Sequence, residues 1–409
     1  MKKLYVIFAC VLLGNTAFSF DSAFWSDMQK FPVPAHRFDG AGEKTKALKL
    51  YFEGEPLDGK PTEVFAYYCT PSILNGKGED KNLPAVVCVH GGGGRAFAEW
   101  TELWASRGYA AIAIDWRGNG AEPVFEKITP ELRKQYPRSK LLERKHLKNG
   151  GPEHTAQTVS LADGKPEKQA WPYFAAGAVV RAHSLIRSFK EVNPNKTAIT
   201  GISWGGYLTC LVSGIDSRFK AAVPVYGCGF IYEKLDCMSW GGYIGAKTDS
   251  HKRWIELFDP SKFLEIETVP MLFVNSPNDR FYPLTIWKKS ASLAKAQALI
   301  IANLKHSHEH GWNIPEIEAF ISSKLNGTNS FPKIGEVVKR GNMIECNVYG
   351  AASAELFFSD CQGEKSSQYK WESVPMRIYG GVARVALPQS ARSYYITATD
   401  RKGTRVSSF

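Results

Sequence analysis

A glycine-flanked serine, Gly201-Ile202-Ser203-Trp204-Gly205, constrains this chain more than any other feature, because it joins a short β-branched run to a stretch able to form a helix. Thr197 to Thr200 read as a buried strand, and Tyr207 to Val212 carry the apolar residues of a helix packed beneath a sheet. Small residues on both sides let the backbone reverse sharply. The serine hydroxyl is then exposed at a helix N-terminus, where N–H groups and the positive dipole end favour negative charge. In that setting G-x-S-x-G has the form of a nucleophile elbow. The same five residues also suit a glycine-rich turn whose serine only caps the helix, so the rest of the chain must decide.

Upstream, Leu48 to Phe52 and Glu63 to Cys69 read as edge strands, with a polar loop from Asn75 to Lys81. Ala85 to Val89 and Ala110 to Ile114 are short apolar strands on either side of a helical stretch, Phe97 to Ser106. A polar insertion runs from Gly118 to about Lys168, and Pro172 to Phe189 repeat apolar residues at helical spacing. Beyond the elbow, Ala221 to Val225, Met271 to Asn275 and Ala298 to Ile301 are further buried strands. Strands alternating with helices predict an α/β class: a mostly parallel sheet with helices on both faces over residues 20–328. Around Phe331 the pattern changes to short alternating segments: Met343 to Val348, Glu355 to Ser359, Met376 to Ile378, Ala383 to Leu387 and Tyr394 to Thr399. These predict a second, small domain over 329–409, a β-sandwich of immunoglobulin-like type.

The first residues have another purpose. Lys2-Lys3, the apolar run Leu4 to Leu13 and the small residues around Ala17-Phe18-Ser19 form a secretory signal peptide over 1–19, so the expected location is secreted or periplasmic. No later stretch offers the roughly 20 apolar residues of a membrane span. Removing two lysines and no acid takes the formal charge from +11 to +9. The basic residues are scattered, without a basic run interleaved with aromatics, so nucleic acid is not an expected partner. Seven cysteines remain. Cys228 with Cys237, and Cys346 with Cys361, are near enough in sequence to bridge, whereas Cys88 and Cys210 lie in apolar runs and read as buried small hydrophobes.

A serine hydroxyl needs a base to take its proton and an acid to orient that base. Asp279 follows a strand 76 residues after Ser203, and His306 follows another strand 27 residues later. Both lie where open α/β sheets place their sites, beyond the carboxyl ends of strands. Asp279 also suits an Asx turn, and His308 is an alternative base two residues from His306. His306, His308 and His310 alternate without a carboxylate and histidine cluster of recognisable metal spacing, so neither a metal nor any other cofactor is expected. His90-Gly91-Gly92-Gly93-Gly94 ends the Ala85-to-Val89 strand, and glycines there let backbone amides approach a substrate. Gly92, Gly93 and Trp204 are the candidate oxyanion donors. Trp171, Trp240, Tyr243 and Trp254 are aromatic candidates for a pocket wall against a sugar.

On these runs, with Val223-Pro224-Val225-Tyr226-Gly227-Cys228 and Asn278-Asp279, the chain resembles the α/β-hydrolase superfamily over about residues 45 to 325. Within it, the chain is most similar to secreted acetyl-xylan-esterase-like and dienelactone-hydrolase-like proteins. The resemblance implies Ser203 as nucleophile, Asp279 as orienting acid and His306 as base. It also implies a serine esterase acting on acetyl or related esters of a carbohydrate or a small ester. Serine stands where dienelactone hydrolases carry cysteine, which argues against lactone chemistry. A peptidase of prolyl-oligopeptidase type shares the catalytic order, but fewer than about 70 residues precede the oxyanion strand after the leader, too few for a propeller of four blades. A glycan-binding protein on an inactive hydrolase scaffold is the alternative from another class.

Overall fold

The computed structural model describes residues 21–123, 144–152, 161, 164–233, 248–265, 269–327, 331–362 and 368–408. The leader, Cys237, Trp240, Tyr243 and much of the 118–168 insertion lie outside the described residues.

Long parallel strands buried on both faces are almost wholly apolar, and Leu83–Val89, Ala110–Asp115 and Ala221–Val225 follow that pattern. Among the described residues they lie within one sheet of thirteen strands. Its order begins His36–Ala41, Leu48–Glu53, Glu63–Cys69, Ala110–Asp115, Leu83–Val89, Val192–Ile202, Ala221–Val225, Leu272–Asn275, Gln297–Ile300. From Ala110–Asp115 to Gln297–Ile300 all neighbours are parallel, whereas the first strands pair antiparallel. Helices Trp171–Ser188 and Trp204–Ile215 pack side by side against the central strands, and Pro315–Leu325 packs on Val192–Ile202 and Ala221–Val225.

Two sequence expectations are corrected here. Leu48–Glu53 and Glu63–Cys69 are interior strands rather than edges, because His36–Ala41, exposed along its whole length, pairs outside them. That outer strand has no apolar alternation to reveal it. The sheet also continues beyond Gln297–Ile300: Arg405–Ser408 pairs there antiparallel, with Ala298 opposite Ser407, followed by Ser393–Thr399, Ser353–Ser359 and Glu372–Pro375. A separate four-stranded sheet contains Lys333–Arg340, Met343–Tyr349, Val382–Ala386 and Arg377–Tyr379. Ile344, Leu356, Ile396 and Val406 of these C-terminal strands belong to the same continuous apolar core as Val89 and Val225.

The Cys346–Cys361 bridge is likewise not formed. Cys346 points into the core while Cys361 is exposed, with its thiol donating to Asp360 Oδ1 at 3.3 Å. Cys228 is a free buried thiol, and burial raises it well above the ordinary thiol range, as it does Cys88 and Cys210. Cys88 and Cys210 are fully buried, as small hydrophobes should be.

A buried triplet inside the fold mimics a catalytic one. His183 Nδ1 meets Asp216 Oδ2 at 2.7 Å and its Nε2 meets Thr197 Oγ1 at 2.8 Å, with the ring stacked 3.5 Å from Phe219. Burial alone would raise Asp216, but hydrogen bonds from Arg218 and His183 outweigh it and hold the carboxyl well below its usual range. Burial pushes His183 down to about 4, so the imidazole is neutral. All three side chains are sealed from solvent, and the set is structural.

The C-terminal strands also complete a buried ion pair. Arg405 Nε donates to Glu316 Oε1 at 2.6 Å, and Glu316 is 2% exposed. Removing one partner of such a pair leaves a charge without compensation. Because Arg405 is itself partly exposed, Arg405→Ala should cost about 1–3 kcal/mol, read as a lower urea midpoint at unchanged slope. A midpoint equal to that of the parent would show that Glu316 does not depend on Arg405.

Candidate active site

Ser203 occupies the junction between strand Val192–Ile202 and helix Trp204–Ile215, with φ 58° and ψ −117°. A side-chain-bearing residue pays about 1–3 kcal/mol for such a backbone, so the surroundings must impose it. They do so by close approach. A Cβ on Gly201 would lie 2.1 Å from Gly205 O, and one on Gly205 would lie 2.0 Å from Val89 O. Only glycine permits these crossings. Ser203 N–H donates to Val225 O at 2.8 Å and its carbonyl accepts from Tyr207 N–H at 2.9 Å, fixing both sides of the turn. The serine side is partly exposed while the helix behind it is buried.

The acid and the imidazole meet on neighbouring loops. Asp279 follows strand Leu272–Asn275, and its carboxylate is 1% exposed. Oδ1 accepts from Phe281 N–H at 2.8 Å and Tyr282 N–H at 2.7 Å, which leaves Oδ2 for His306 Nδ1 at 2.5 Å. His306 follows strand Gln297–Ile300 and keeps 22% of its side chain exposed. Tyr226 stacks on the imidazole at 4.4 Å, and Phe281 flanks it at 4.8 Å. Tyr226 is itself locked by its hydroxyl, which donates to Lys305 O at 2.7 Å. Tyr282 lies with its ring parallel to the His306 ring at 6.4 Å.

His308 is used differently. Its Nε2 accepts the Gly91 N–H at 2.8 Å. Burial first, then the charges of His306 and Arg95, pushes it down to about 4, so the ring stays neutral and can accept. With that nitrogen committed to the glycine loop, His308 braces the loop rather than the carboxylate.

The loop itself lies against Ser203. A Cβ on Gly91 would come 3.1 Å from Ser203 Cβ. Gly94 N–H closes the turn onto Gly91 O at 2.9 Å, and His90 Nδ1 bonds the same carbonyl at 2.7 Å. Trp116 stacks on His90 and donates from Nε1 to its carbonyl at 2.7 Å. Below them burial raises Asp115 to about 6, against the hydrogen bonds that hold it, including N–H donors from Arg117 and Asn119. Gly92 and Gly93 form the tip of the turn, and Trp204 opens the helix behind the serine.

The aromatic candidates divide. Trp254 is fully buried beside Tyr207 and Phe258, so it is core and not pocket wall. Trp171 is 8% exposed and packs edge-on against Trp204 at 5.0 Å, supporting the residue after the serine. Trp240 and Tyr243 lie outside the described residues. Tyr226, Phe281, Tyr282 and the bracing role of His308 were not identified from sequence. The only signals were an aromatic directly after one strand and two more just after Asp279.

A strained serine between a parallel strand and a helix, on a sheet of this order, defines an α/β-hydrolase, and the protein is a serine hydrolase of carboxylic esters. The profile of the acetyl xylan esterase family (AXE1) matches residues 20–235, more than half of the chain, and the chain belongs to that family. The prolyl oligopeptidase family profile matches residues 178–315. No curated protein matches the chain. Among solved structures, the acetyl xylan esterase from Paenibacillus sp. R4 superposes with TM-score 0.55 at 19% identity, covering 77% of this chain and 96% of that one. Acetyl xylan esterase 1 from Thermoanaerobacterium sp. JW/SL YS485 gives TM-score 0.51 at 14% identity, covering 76% and 95%. At these identities the two likenesses establish the fold.

The His308 arrangement has a signed pH consequence. Its folded value lies below that of the unfolded chain, so between pH 6.5 and about 4 only the unfolded chain takes up the proton. Its stabilising contribution is therefore complete above about 6.5 and lost as pH falls toward 4, a total of roughly 1–3 kcal/mol for a largely buried group. Urea unfolding at pH 7 and pH 4.5 should show the parent losing more stability than His308→Gln, which keeps an acceptor but does not titrate. Equal losses would remove His308 from the acid sensitivity.

Proposed function

We propose that this chain is an exported serine esterase that removes acetyl groups from carbohydrate, with Ser203 as nucleophile, His306 as base and Asp279 as orienting acid. The Asp279–His306 hydrogen bond of 2.5 Å, formed on the loops beside a strained, partly exposed serine, carries the reading.

In the proposed reaction, Ser203 Oγ attacks the ester carbonyl carbon while His306 Nε2 takes the hydroxyl proton. The carbonyl oxygen becomes an oxyanion, received by the amide of Trp204 and by amides at Gly92 or Gly93, donors that cost no reorganisation. As the ester C–O bond breaks, the imidazolium gives its proton to the departing sugar hydroxyl. Water, deprotonated by His306, then attacks the acyl-enzyme; acetate leaves and the proton returns to Ser203. Asp279 stays ionised throughout and stabilises the imidazolium. Its Oδ1 is held by two backbone N–H groups, so the carboxylate cannot rotate away from the ring.

Export is supported by the basic and apolar leader. Trp25, 0% exposed, stacks with Tyr173 and meets Phe258 edge-on, contacts made by residues that all follow the proposed cleavage point. An immunoglobulin-like arrangement of the C-terminal region is supported by its two sets of four antiparallel strands, whose apolar residues face a shared core. The acetyl group and the carbohydrate are favoured by the family to which the chain belongs.

Acetate release from acetylated xylo-oligosaccharide and from a small acetyl ester should be measurable for the parent. In Ser203→Ala it should fall by at least about 10³-fold. Hydrolysis of a short peptide amide in preference to either ester would favour the peptidase reading. Glycan binding with no turnover by the parent would favour the inactive scaffold.

A further inference from the structure

The C-terminal region reaches both arms of the site, through the connection before strand Glu372–Pro375 on one side and strand Arg405–Ser408 on the other. Asn278, the residue before Asp279, donates from Nδ2 to the backbone carbonyl of Tyr369 at 2.7 Å. On the other arm, Ile300 N–H, at the end of the strand leading to His306, donates to Ser407 Oγ at 3.0 Å, and Ser407 is bonded to Thr397 at 3.0 Å. The two contacts are joined through one set of strands. The Tyr369 ring meets Trp371 at 6.0 Å, and Trp371 packs edge-on at 5.0 Å against Tyr395, which is buried in Ser393–Thr399. That strand pairs with Arg405–Ser408, which pairs with Gln297–Ile300.

The inner side of the acid loop is closed locally. Asp279 N–H donates to Ser276 O at 3.2 Å, Asn278 N–H to Ser276 Oγ at 3.2 Å, and Asn275 Nδ2 to Tyr282 O at 2.8 Å. These bonds set the shape of the loop. Among the described residues, the Asn278 amide is a contact that ties this loop from outside to the C-terminal region.

We propose that Asn278 is a positioning residue for ester hydrolysis: through it the C-terminal strands act as a brace that sets Asp279 against His306. The proposal rests on the Ser203–His306–Asp279 reading. A misplacement of about 1 Å away from the reacting atoms can cost on the order of 10²-fold in rate, so a tether one residue from the acid has leverage on turnover without touching the ester.

The test uses the full-length protein, because Arg405–Ser408 is built into the main sheet and a truncated chain is not expected to fold. With a small acetyl ester, Asn278→Ala should lower kcat by about 10–100-fold with KM within about twofold. Asn278→Gln, which keeps the donor, should recover most of the loss. The strongly deshielded proton of the His306–Asp279 bond, seen by proton NMR in the parent and in Asn278→Gln, should move or broaden in Asn278→Ala. Trp371→Leu, farther from the site, should shift that resonance in the same direction and serves as the test if Asn278→Ala does not fold. An unchanged kcat and resonance in Asn278→Ala, or in Trp371→Leu where that variant is needed, would overturn the proposal. So would a loss confined to KM for acetylated oligosaccharide, which would make the region a glycan contact. His306→Ala measured alongside separates the two layers: if it stays active the triad reading fails, and if it is inactive while Asn278→Ala is not, only the brace fails.

Discussion

The backbone of Ser203 is the constraint on which the rest of the structure depends. A residue with a side chain does not hold φ 58°, ψ −117° unaided, and here it is held because the chain crosses itself at distances only glycine allows. Gly201 lies on Gly205, Gly205 lies on the end of strand Leu83–Val89, and Val225 O receives the serine N–H. Each contact joins the serine to a different strand of the parallel sheet. The sheet thereby becomes a rigid frame, with the loops that carry Ser203, the glycines and Asp279 all emerging from the same ends of its strands.

Two histidines two residues apart have opposite duties on that frame. His306 points at a fixed carboxylate and retains solvent access. His308 is desolvated into the neutral form and uses its lone pair to hold Gly91 beside the serine. The buried His183–Asp216–Thr197 set shows that distances alone do not make a site. Its hydrogen bonds, 2.7 and 2.8 Å, are short too, beside 2.5 Å for Asp279–His306, but its side chains are sealed from solvent. Exposure of the imidazole and strain at the hydroxyl-bearing residue separate chemistry from scaffold.

The α/β sheet was legible in the sequence because buried parallel strands are apolar in every position and bounded by turns, as Ala110–Asp115 and Ala221–Val225 show. Ser203, Asp279 and His306 could be singled out because each follows a strand, and the structure joins Asp279 to His306 and strains Ser203. What stayed hidden depends on partners distant along the chain. His36–Ala41 and Arg405–Ser408 are polar segments made into strands by the neighbours they pair with, and no periodicity announces them. The fate of Trp254 could not be read either: an aromatic suited to a sugar and one suited to the core are the same residue until packing is known. The separation of a second domain at residue 329 rested on a real change of pattern, yet half of the C-terminal strands extend the first sheet.

Ser203 is proposed as the one activated hydroxyl, made so by the Asp279–His306 pair. Treating the folded protein with a serine-reactive fluorophosphonate and mapping the adduct by peptide mass spectrometry tests it most directly. A single adduct on Ser203 is expected, and none on Ser203 when His306 is replaced by alanine. An adduct on another residue, or equal labelling of Ser203 without the imidazole, would contradict it.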